Sequence, residues 1–567
     1  IKFYGPKISS GDIFQYNLGD CYWMAALASL AAESKRMQRI ALIRRYNVKG
    51  IYAVNLCIQG VWEEVIVDEK LPVDEEGLLY FSGNNDGVIW PMIFEKAWAK
   101  VHGGYMNIEE GVLCESLHAL TGAPCTPYFL DRIIKGYIEG MTTEMVWKDA
   151  LRFHSQWFLM LASTKNKGIV SGTVVSAESN STLRKREADQ NNGLVYGHAY
   201  SVLGVYEIAR VGDEYKRVVD PEDSNPDNIR LIKLRNPWGN TEWTKDWHDD
   251  CEQWNDQISK IVHKPDALDD GIFFMSYTDF LKHFEGLAVC KYREEFVYSG
   301  AKVTTSPIDP TLFCFGIPKA GKYSFTISQV NMRDFPKEDN YVYSALTMFI
   351  AKWDDFKVVK SFGVVHGQEE HLTLECYCEQ GPCIAYIFTP WRRNVNVLGF
   401  SIYGPKKIDQ LIKLNTDSVP PNFVTQFMFD RVKVQNPPLT LVNGVEGLYM
   451  YAERSITGIG YLYFENRTPD TQITAVYEFR PIKTSQDTII KLVVEKNKEG
   501  VLGRYTNSNI KAALKQSFKL PFSRQTISSS SVEVIPARLC ADLAFIDILT
   551  FATSTPEPSD LTRTLTL

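Results

Sequence analysis

Apolar positions change their rhythm along this chain. Up to about residue 122 they fall in helix-length runs. Ala, Leu and Met fill positions 24 to 32 apart from Ser29, which predicts a helix beginning near Cys21 with Asp20 before it as N-cap. The run from Trp90 to Lys100 predicts a second helix, with Pro91 in its first turn. From about 123 to 294 strand-like runs prevail. His198 heads the apolar, β-branched run that follows it to Val205, and the run from Leu231 to Leu234 leads into the turn Arg235-Asn236-Pro237-Trp238-Gly239. A polar stretch from Ser171 to Gly193 interrupts this part and reads as a mobile loop.

Farther on, short runs of Tyr, Phe, Val and Thr with turn signals at Pro318 to Gly321 and Glu379 to Pro382 predict a β-sandwich over 295–405. A linker over 406–424 contains Pro420 and Pro421. The alternating segments Gly447 to Glu453, Gly460 to Glu465 and Ile473 to Phe479 predict a second β-rich domain over 425–550. The end, 551–567, carries Ser554-Thr555-Pro556-Glu557-Pro558 and reads as a disordered tail.

Composition narrows the class. At about 100 to 200 residues per domain, a chain of 567 residues holds several domains. A net charge of −7 without a long basic block argues against nucleic-acid binding and against a polybasic membrane anchor. No apolar run approaches the roughly 18 residues of a transmembrane helix, and no secretory leader is visible. The chain opens on Ile1 rather than Met, so a preceding segment is expected, and acylation, a propeptide or a targeting signal stays open. Eleven thinly spread cysteines argue for reduced thiols in a cytosolic setting rather than a disulfide framework. Cys376, Cys378 and Cys383 lie near His371 but match no common zinc spacing, so they read as incidental thiols of a core strand.

Candidate chemistry begins at Cys21. A cysteine at a helix N-terminus meets unpaired N–H groups and the positive end of the helix dipole, which favour the thiolate. Taken alone, Cys21 reads as a buried core thiol, His198 as a packed or surface imidazole, and Asn236-Pro237 as a turn starter. A nucleophilic thiol needs a base and a group that orients the base, and the three sites in the order Cys, His, Asn supply those parts.

At these residues the sequence resembles the calpains, papain-like cysteine proteases activated by calcium. The motifs are Gln15 with Leu18-Gly19-Asp20-Cys21, Gly197-His198-Ala199-Tyr200-Ser201-Val202, and Arg235-Asn236-Pro237-Trp238-Gly239 with Glu242-Trp243-Thr244, Trp247 and Asp249. The resemblance implies Cys21 as nucleophile, His198 as base and acid, Asn236 as imidazole orienter and Gln15 as oxyanion donor. It implies an α+β fold: a two-subdomain papain-like calpain core, with 1–122 carrying the nucleophile and 123–294 the histidine and asparagine, then the calpain-type sandwich and the second β-rich domain. The active site would be a cleft between the two subdomains. One departure is Tyr22 before Trp23, where calpains usually place Trp directly after the cysteine. Trp238 matches a family tryptophan that lies in the cleft when calcium is absent.

In calpains one calcium ion binds each half of the core. The resemblance places Asp12 and Glu95 in the first site, and Glu242, Asp249 and Asp270 in the second. Ile272 stands where the family has a further glutamate, so the second site is expected to bind calcium more weakly. No stretch fits the EF-hand loop pattern, so this resembles an atypical calpain without a penta-EF-hand domain, and no EF-hand small subunit is expected.

The expected function is an intracellular calcium-regulated cysteine endopeptidase making limited cuts through a thioester acyl-enzyme. Its partners would be protein substrates with disordered segments, in the cytoplasm, with peripheral membrane or cytoskeletal association left open. The alternative is a catalytically silent calpain-like scaffold. A transglutaminase-like acyltransferase is a third reading, but its third residue is normally Asp, and the Asn236-Pro237-Trp238-Gly239 context does not resemble it.

Overall fold

The computed structural model describes residues 2–84, 87–165, 192–265, 270–306, 310–354, 357–389, 391 and 396–414, and beyond them a series of strands between 440 and 547. Most of the expected loop from Ser171 to Gly193 and the whole expected tail 551–567 lie outside the described residues. The chain divides into two compact units. The first comprises Ile1–Phe296 with Arg333–Asn340, the second Val297–Met332 with Tyr341–Leu567.

In the first unit a short strand β1 (Phe14–Gln15) precedes helix α1 (Cys21–Ala31), in which every residue after Cys21 is buried. A helix apolar all round belongs inside a core. It is covered by α2 (Ser34–Ile40), α3 (Trp90–Val101) and α4 (Leu113–Thr121). Among these helices lie a hairpin, β2 (Ile51–Ile58) with β3 (Val61–Asp68), and the two-residue strand β4 (Ser82–Gly83), which pairs with β1. Helix α3 starts and ends within a residue of the expected bounds, with Pro91 in its first turn. The hairpin is a strand pair that the helical texture of this region concealed.

After α4 the chain builds a seven-stranded sheet. Its strands are β5 (Cys125–Phe129), β6 (Leu159–Thr164), β7 (Ala199–Val211), β8 (Glu214–Arg217), β9 (Ile229–Arg235), β10 (Ile272–Ser276) and β11 (Phe284–Cys290). The order is β10-β9-β7-β6-β11-β5, with β8 alongside β7, and every pairing is antiparallel. One face packs into a core of Trp147, Tyr200, Phe273, Phe280 and Phe284 among others. The other meets α1, where the Ser201 hydroxyl of β7 donates to the Ala25 carbonyl at 2.7 Å. Strand β7 therefore lies against the helix that Cys21 opens.

The second unit begins with two antiparallel sheets around one core that includes Phe313, Phe325, Ile350 and Phe400. One orders β12 (Val297–Thr304), β19 (Val397–Gly404), β14 (Gly321–Ser328) and β17 (His371–Cys378), the other β16 (Lys357–Gly367), β15 (Leu346–Asp354), β18 (Gly381–Phe388), β13 (Thr311–Ile317) and β20 (Leu411–Leu414). Strand β20 pairs with β13 and lies beyond the expected boundary at residue 405. Its short apolar run is too brief to stand out from a linker. Cys376 and Cys378 share one strand, their sulfurs 3.7 Å apart, and Cys383 lies on the next. Farther along, strands from Thr440 to Asp547 form a five-stranded and a four-stranded sheet.

Candidate active site

The imidazole is the best-defined part of the site. His198 sits one residue before β7, in a turn entered through Gly197, whose φ of +59° favours glycine. Thr164 at the end of β6 fixes the His198 backbone: its hydroxyl accepts from His198 N–H at 2.9 Å, and its N–H donates to the His198 carbonyl at 3.0 Å. The ring is 1% exposed. It packs edge-on to Tyr200 at 5.1 Å and tilted against Trp238 at 5.0 Å between ring centroids.

Asn236 follows directly on β9, and its amide orientation is set on both ends. Asn236 Oδ1 accepts from Trp238 N–H at 3.1 Å, while Nδ2 donates to the Thr241 carbonyl at 3.0 Å. The same Oδ1 lies 2.9 Å from His198 Nε2. An acceptor there requires Nε2 to carry the proton, which leaves Nδ1 as a bare lone pair, buried and without a partner among the described residues. Burial pulls the imidazole pKa down to about 4, against a smaller upward pull from Asn236, so the ring is neutral at physiological pH. Gly271 lets this turn close, because at its φ of +81° an added Cβ would come within 2.8 Å of the Asn236 carbonyl.

Cys21 is the first residue of α1 and is partly exposed. Asp20 occupies the N-cap position, but its side chain makes no cap hydrogen bond, contrary to the sequence expectation. The carboxyl is instead fully buried and hydrogen-bonded to Glu95 of α3. Burial and the neighbouring Glu95 push Asp20 well above the usual carboxylate range, and burial pushes Glu95 up to about 8. The two carboxyls therefore share a proton at neutral pH. Nothing in the sequence pattern marks this pair, because Asp20 before a helix reads as a cap and the resemblance assigns Glu95 to a calcium site.

Gln15 of β1 is tied to the Asn236 turn through its backbone, its N–H donating to the Pro237 carbonyl at 3.0 Å. Arg235, fully buried, reinforces that tie by donating to the Ile13 carbonyl at 2.8 Å. The Gln15 side chain turns back on its own loop. Nε2 donates to the Leu18 carbonyl at 2.7 Å and faces Asp20 Oδ1 at 3.5 Å, while Oε1 is buried without a partner among the described residues. The structure thus joins His198 to Asn236 directly, and Gln15 to Pro237 just after Asn236 and to Leu18 and Asp20 just before Cys21.

Tyr22 and Trp23 occupy well-filled positions next to Cys21. Tyr22 donates to the Ile108 carbonyl at 3.1 Å, receives Trp98 Nε1 at 2.9 Å and lies under the Arg333 guanidinium. Trp23 stacks on Trp98 at 4.5 Å.

The acidic candidates form two unlike groups. Asp12 is occupied by the Ser9 hydroxyl and by Trp90 Nε1 at 3.0 Å, and Glu95 by Ser82 at 2.6 Å and by Asp20. Those two carboxylates are not assembled as a ligand pair. Glu242 accepts from the Asp270 and Gly271 N–H groups at 3.1 and 2.8 Å. Burial, followed by the charges of Asp249 and Asp270, raises it to about 7. Asp249 is also raised, chiefly by burial, and its Oδ1 is buried with no partner among the described residues. Three oxygen donors that repel one another suit a hard cation. Among the described residues, however, no group of three or more His, Cys, Asp or Glu is already drawn together as a metal shell. Gly193 closes this corner, since at its φ of +82° an added Cβ would sit 1.7 Å from the Glu242 carbonyl oxygen.

Comparison with known proteins agrees with the motifs. The family described as calpain family cysteine protease matches residues 1–291. The chain is 34% identical over 303 residues to a calpain-type cysteine protease DEK1 of Arabidopsis thaliana, covering 52% of this chain and 12% of that protein. It is 30% identical over 283 residues to the calpain-2 catalytic subunit of Rattus norvegicus, covering 49% and 35%. A third relative, calpain clp-4 of Caenorhabditis elegans, is 30% identical over 299 residues, covering 52% and 37%. The matched stretch is a minor part of each relative. No helix among the described residues is long and apolar enough to cross a membrane.

Proposed function

Because the chain belongs to the calpain family of cysteine proteases, we propose that it is a calcium-regulated endopeptidase with Cys21, His198, Asn236 and Gln15 as its reacting and orienting groups. The observation that carries this reading is the state of His198: Nε2–H held by Asn236, and Nδ1 unprotonated with no partner among the described residues. A neutral imidazole with one nitrogen anchored and the other vacant is a base with a fixed direction.

In this mechanism the proton of the Cys21 thiol passes to His198 Nδ1. The thiolate attacks the peptide carbonyl, and the oxyanion is received by the Cys21 backbone N–H and Gln15 Nε2. His198 returns the proton to the leaving amine, giving a thioester at Cys21. A water then gives a proton to the same nitrogen and attacks the thioester, which frees the acid and restores the thiol. Asn236 keeps the ring oriented in both halves of the cycle. Gln15 Nε2 must first leave the Leu18 carbonyl and Asp20.

Calcium, when bound, would neutralise clustered carboxylates and favour the arrangement in which they converge. Glu242, Asp249 and Asp270 would hold it at one place, and Asp12 with Glu95 at the other. The second of these requires Glu95 to exchange Asp20 and Ser82 for the cation. Freed from Glu95, Asp20 could shift its hold on Gln15, which links calcium to the oxyanion donor. Substrates would be disordered segments of proteins in the cytoplasm.

The test is cleavage of an unstructured fluorogenic peptide in a calcium titration, with Cys21→Ala as control. Turnover that rises with calcium and vanishes in the variant supports the whole reading. Turnover insensitive to chelation removes the calcium switch, and a folded chain inert at every calcium concentration makes it a scaffold.

A further inference from the structure

Three thiols with no part in the proposed proteolysis meet where the α1 layer joins the seven-stranded sheet. Cys114 lies in the first turn of α4, Cys125 opens β5 and Cys290 closes β11. Cys125 and Cys290 stand directly opposite each other in the antiparallel β5–β11 pair. The next pair along is Pro124 with Lys291, whose N–H donates to the Pro124 carbonyl at 2.9 Å. Hydrogen-bonded and non-hydrogen-bonded pairs alternate along such a ladder, so Cys125 and Cys290 form a non-hydrogen-bonded pair. The α-carbons of such a pair are ~4.5 Å apart, inside the range of about 4.4–6.8 Å that a disulfide spans.

The third thiol gives the pair a route to solvent. Cys125 interacts with the thiols of both Cys114 and Cys290. Cys290 is buried and the Cys125 thiol is turned inward beside it, whereas Cys114 is partly exposed. Thr121 at the end of α4 places its hydroxyl 3.2 Å from the Cys290 sulfur. Burial works against a Cys290 thiolate, but hydrogen bonds from Cys125 and Thr121 outweigh it and bring the thiol below its ordinary value. Burial pushes Cys125 the other way.

We propose that Cys114, Cys125 and Cys290 form a redox modification site in which hydrogen peroxide enters at Cys114 and the disulfide comes to rest across the strands as Cys125–Cys290. The Cys114 thiolate attacks peroxide: an S–O bond forms, the O–O bond breaks, and hydroxide leaves to become water. Cys125 sulfur then attacks the Cys114 sulfenic acid, forming S–S, breaking S–O and releasing a second water with the Cys125 proton. Finally the Cys290 thiolate attacks the Cys125 sulfur and expels Cys114 as thiolate. Two thiols have lost two electrons and two protons, and one peroxide has become two waters. Reversal follows the same path, since Cys114 can carry the disulfide back to where a small dithiol opens it.

The position matters for the fold. The link staples the edge strand β5 just after Gly122, the left-handed residue (φ +66°) that ends α4. Helix α4 in turn holds the nucleophile helix, because the Ser116 hydroxyl donates to the Tyr22 carbonyl at 3.0 Å.

The experiment uses the full chain carrying Cys21→Ala, so that peroxide cannot be consumed at Cys21. After peroxide and alkylation of the remaining thiols, a non-reducing peptide map should show Cys125 joined to Cys290 and Cys114 alkylated, with Tm raised by about 5 °C and both changes reversed by a dithiol. Adding Cys114→Ser should slow formation of the link at least ~10-fold, and Cys125→Ser should abolish it while the reduced protein still melts cooperatively. Alkylation of both Cys125 and Cys290 after peroxide, or a link that stops at Cys114–Cys125, overturns the proposal. An unchanged rate in Cys114→Ser overturns the relay.

Discussion

His198 and Gln15 would serve the same nucleophile, yet their side chains are held in opposite ways. Among the described residues, His198 has one nitrogen fixed by Asn236 and Nδ1 without a partner, whereas Gln15 has its donor nitrogen committed to Leu18 and Asp20 and its carbonyl oxygen without one. The difference follows from what surrounds them. The imidazole is held by backbone and amide groups whose partners are all satisfied by neutral hydrogen bonds. The Gln15 amide leans on Asp20, whose own position depends on a proton shared with Glu95. The His198–Asn236 pair is built in advance, and the placement of the Gln15 amide is conditional.

The largest effects should come from the side that is already built. Cys21→Ala and His198→Ala should each reduce kcat/KM on the order of 10⁴-fold or more. Tm for Cys21→Ala should stay near the parent value, since Cys21 is only partly buried. Residual activity within ~10-fold of the parent in either variant would mean that another pair does the chemistry.

The neutral imidazoles can be tested by pH. His198 and His118 are both lowered to about 4 by burial, from an ordinary value near 6.5. Between those values the unfolded chain binds more protons than the folded one. The stability these groups support is therefore complete above pH 6.5 and is lost as pH falls toward 4. His118, held by the Ala123 carbonyl at 3.1 Å, is the cleaner probe because it takes no part in catalysis. His118→Gln should flatten the fall in unfolding free energy by one proton, about 1.4 kcal/mol per pH unit in mid-window and roughly 3 kcal/mol overall. An unaltered slope would show that His118 is not buried as a neutral ring.

Gln15→Ala probes the conditional side. As the loss of one oxyanion donor it should lower kcat on the order of 10²-fold with little change in KM. A loss confined to KM would assign Gln15 to substrate binding instead.

How much of this was legible in the sequence depended on whether a residue's partner was near in the chain. The α1 run and Pro91 announced their helices, and His198 and Asn236 were marked by the strands that present them. The hydrogen bond between those two, the Leu18 and Asp20 hold on Gln15, and the burial of Asp20 against Glu95 depend on approaches between distant segments. Asp20 shows the reason clearly. Its local setting is that of an N-cap, and only the arrival of α3 turns it into half of a buried carboxyl pair. The strand at Leu411 does not stand out in the sequence for a related reason, since its four residues gain their identity only by pairing with β13, Thr311–Ile317.

The two acidic groups extend the same contrast. Asp12 and Glu95 are quenched by neutral donors or a shared proton, while Glu242, Asp249 and Asp270 are left facing one another, with Ile272 contributing no further charge. Burial and neighbouring acids raise Glu242 and Asp249 against the pull of Lys264 on Asp249, so removing one charge should relieve the group. Asp249→Asn keeps the shape and takes away the repulsion on Glu242, so its Tm in chelator should rise, by a free energy under about 1 kcal/mol once solvent screening is counted. In calcium the order should invert, because the parent gains a ligand charge that the variant lacks. A variant less stable than the parent in chelator would show that Asp249 is held by favourable contacts. A variant still more stable in saturating calcium would show that the Glu242 corner is not where the ion binds, leaving the Asp12 and Glu95 carboxylates to carry the whole response.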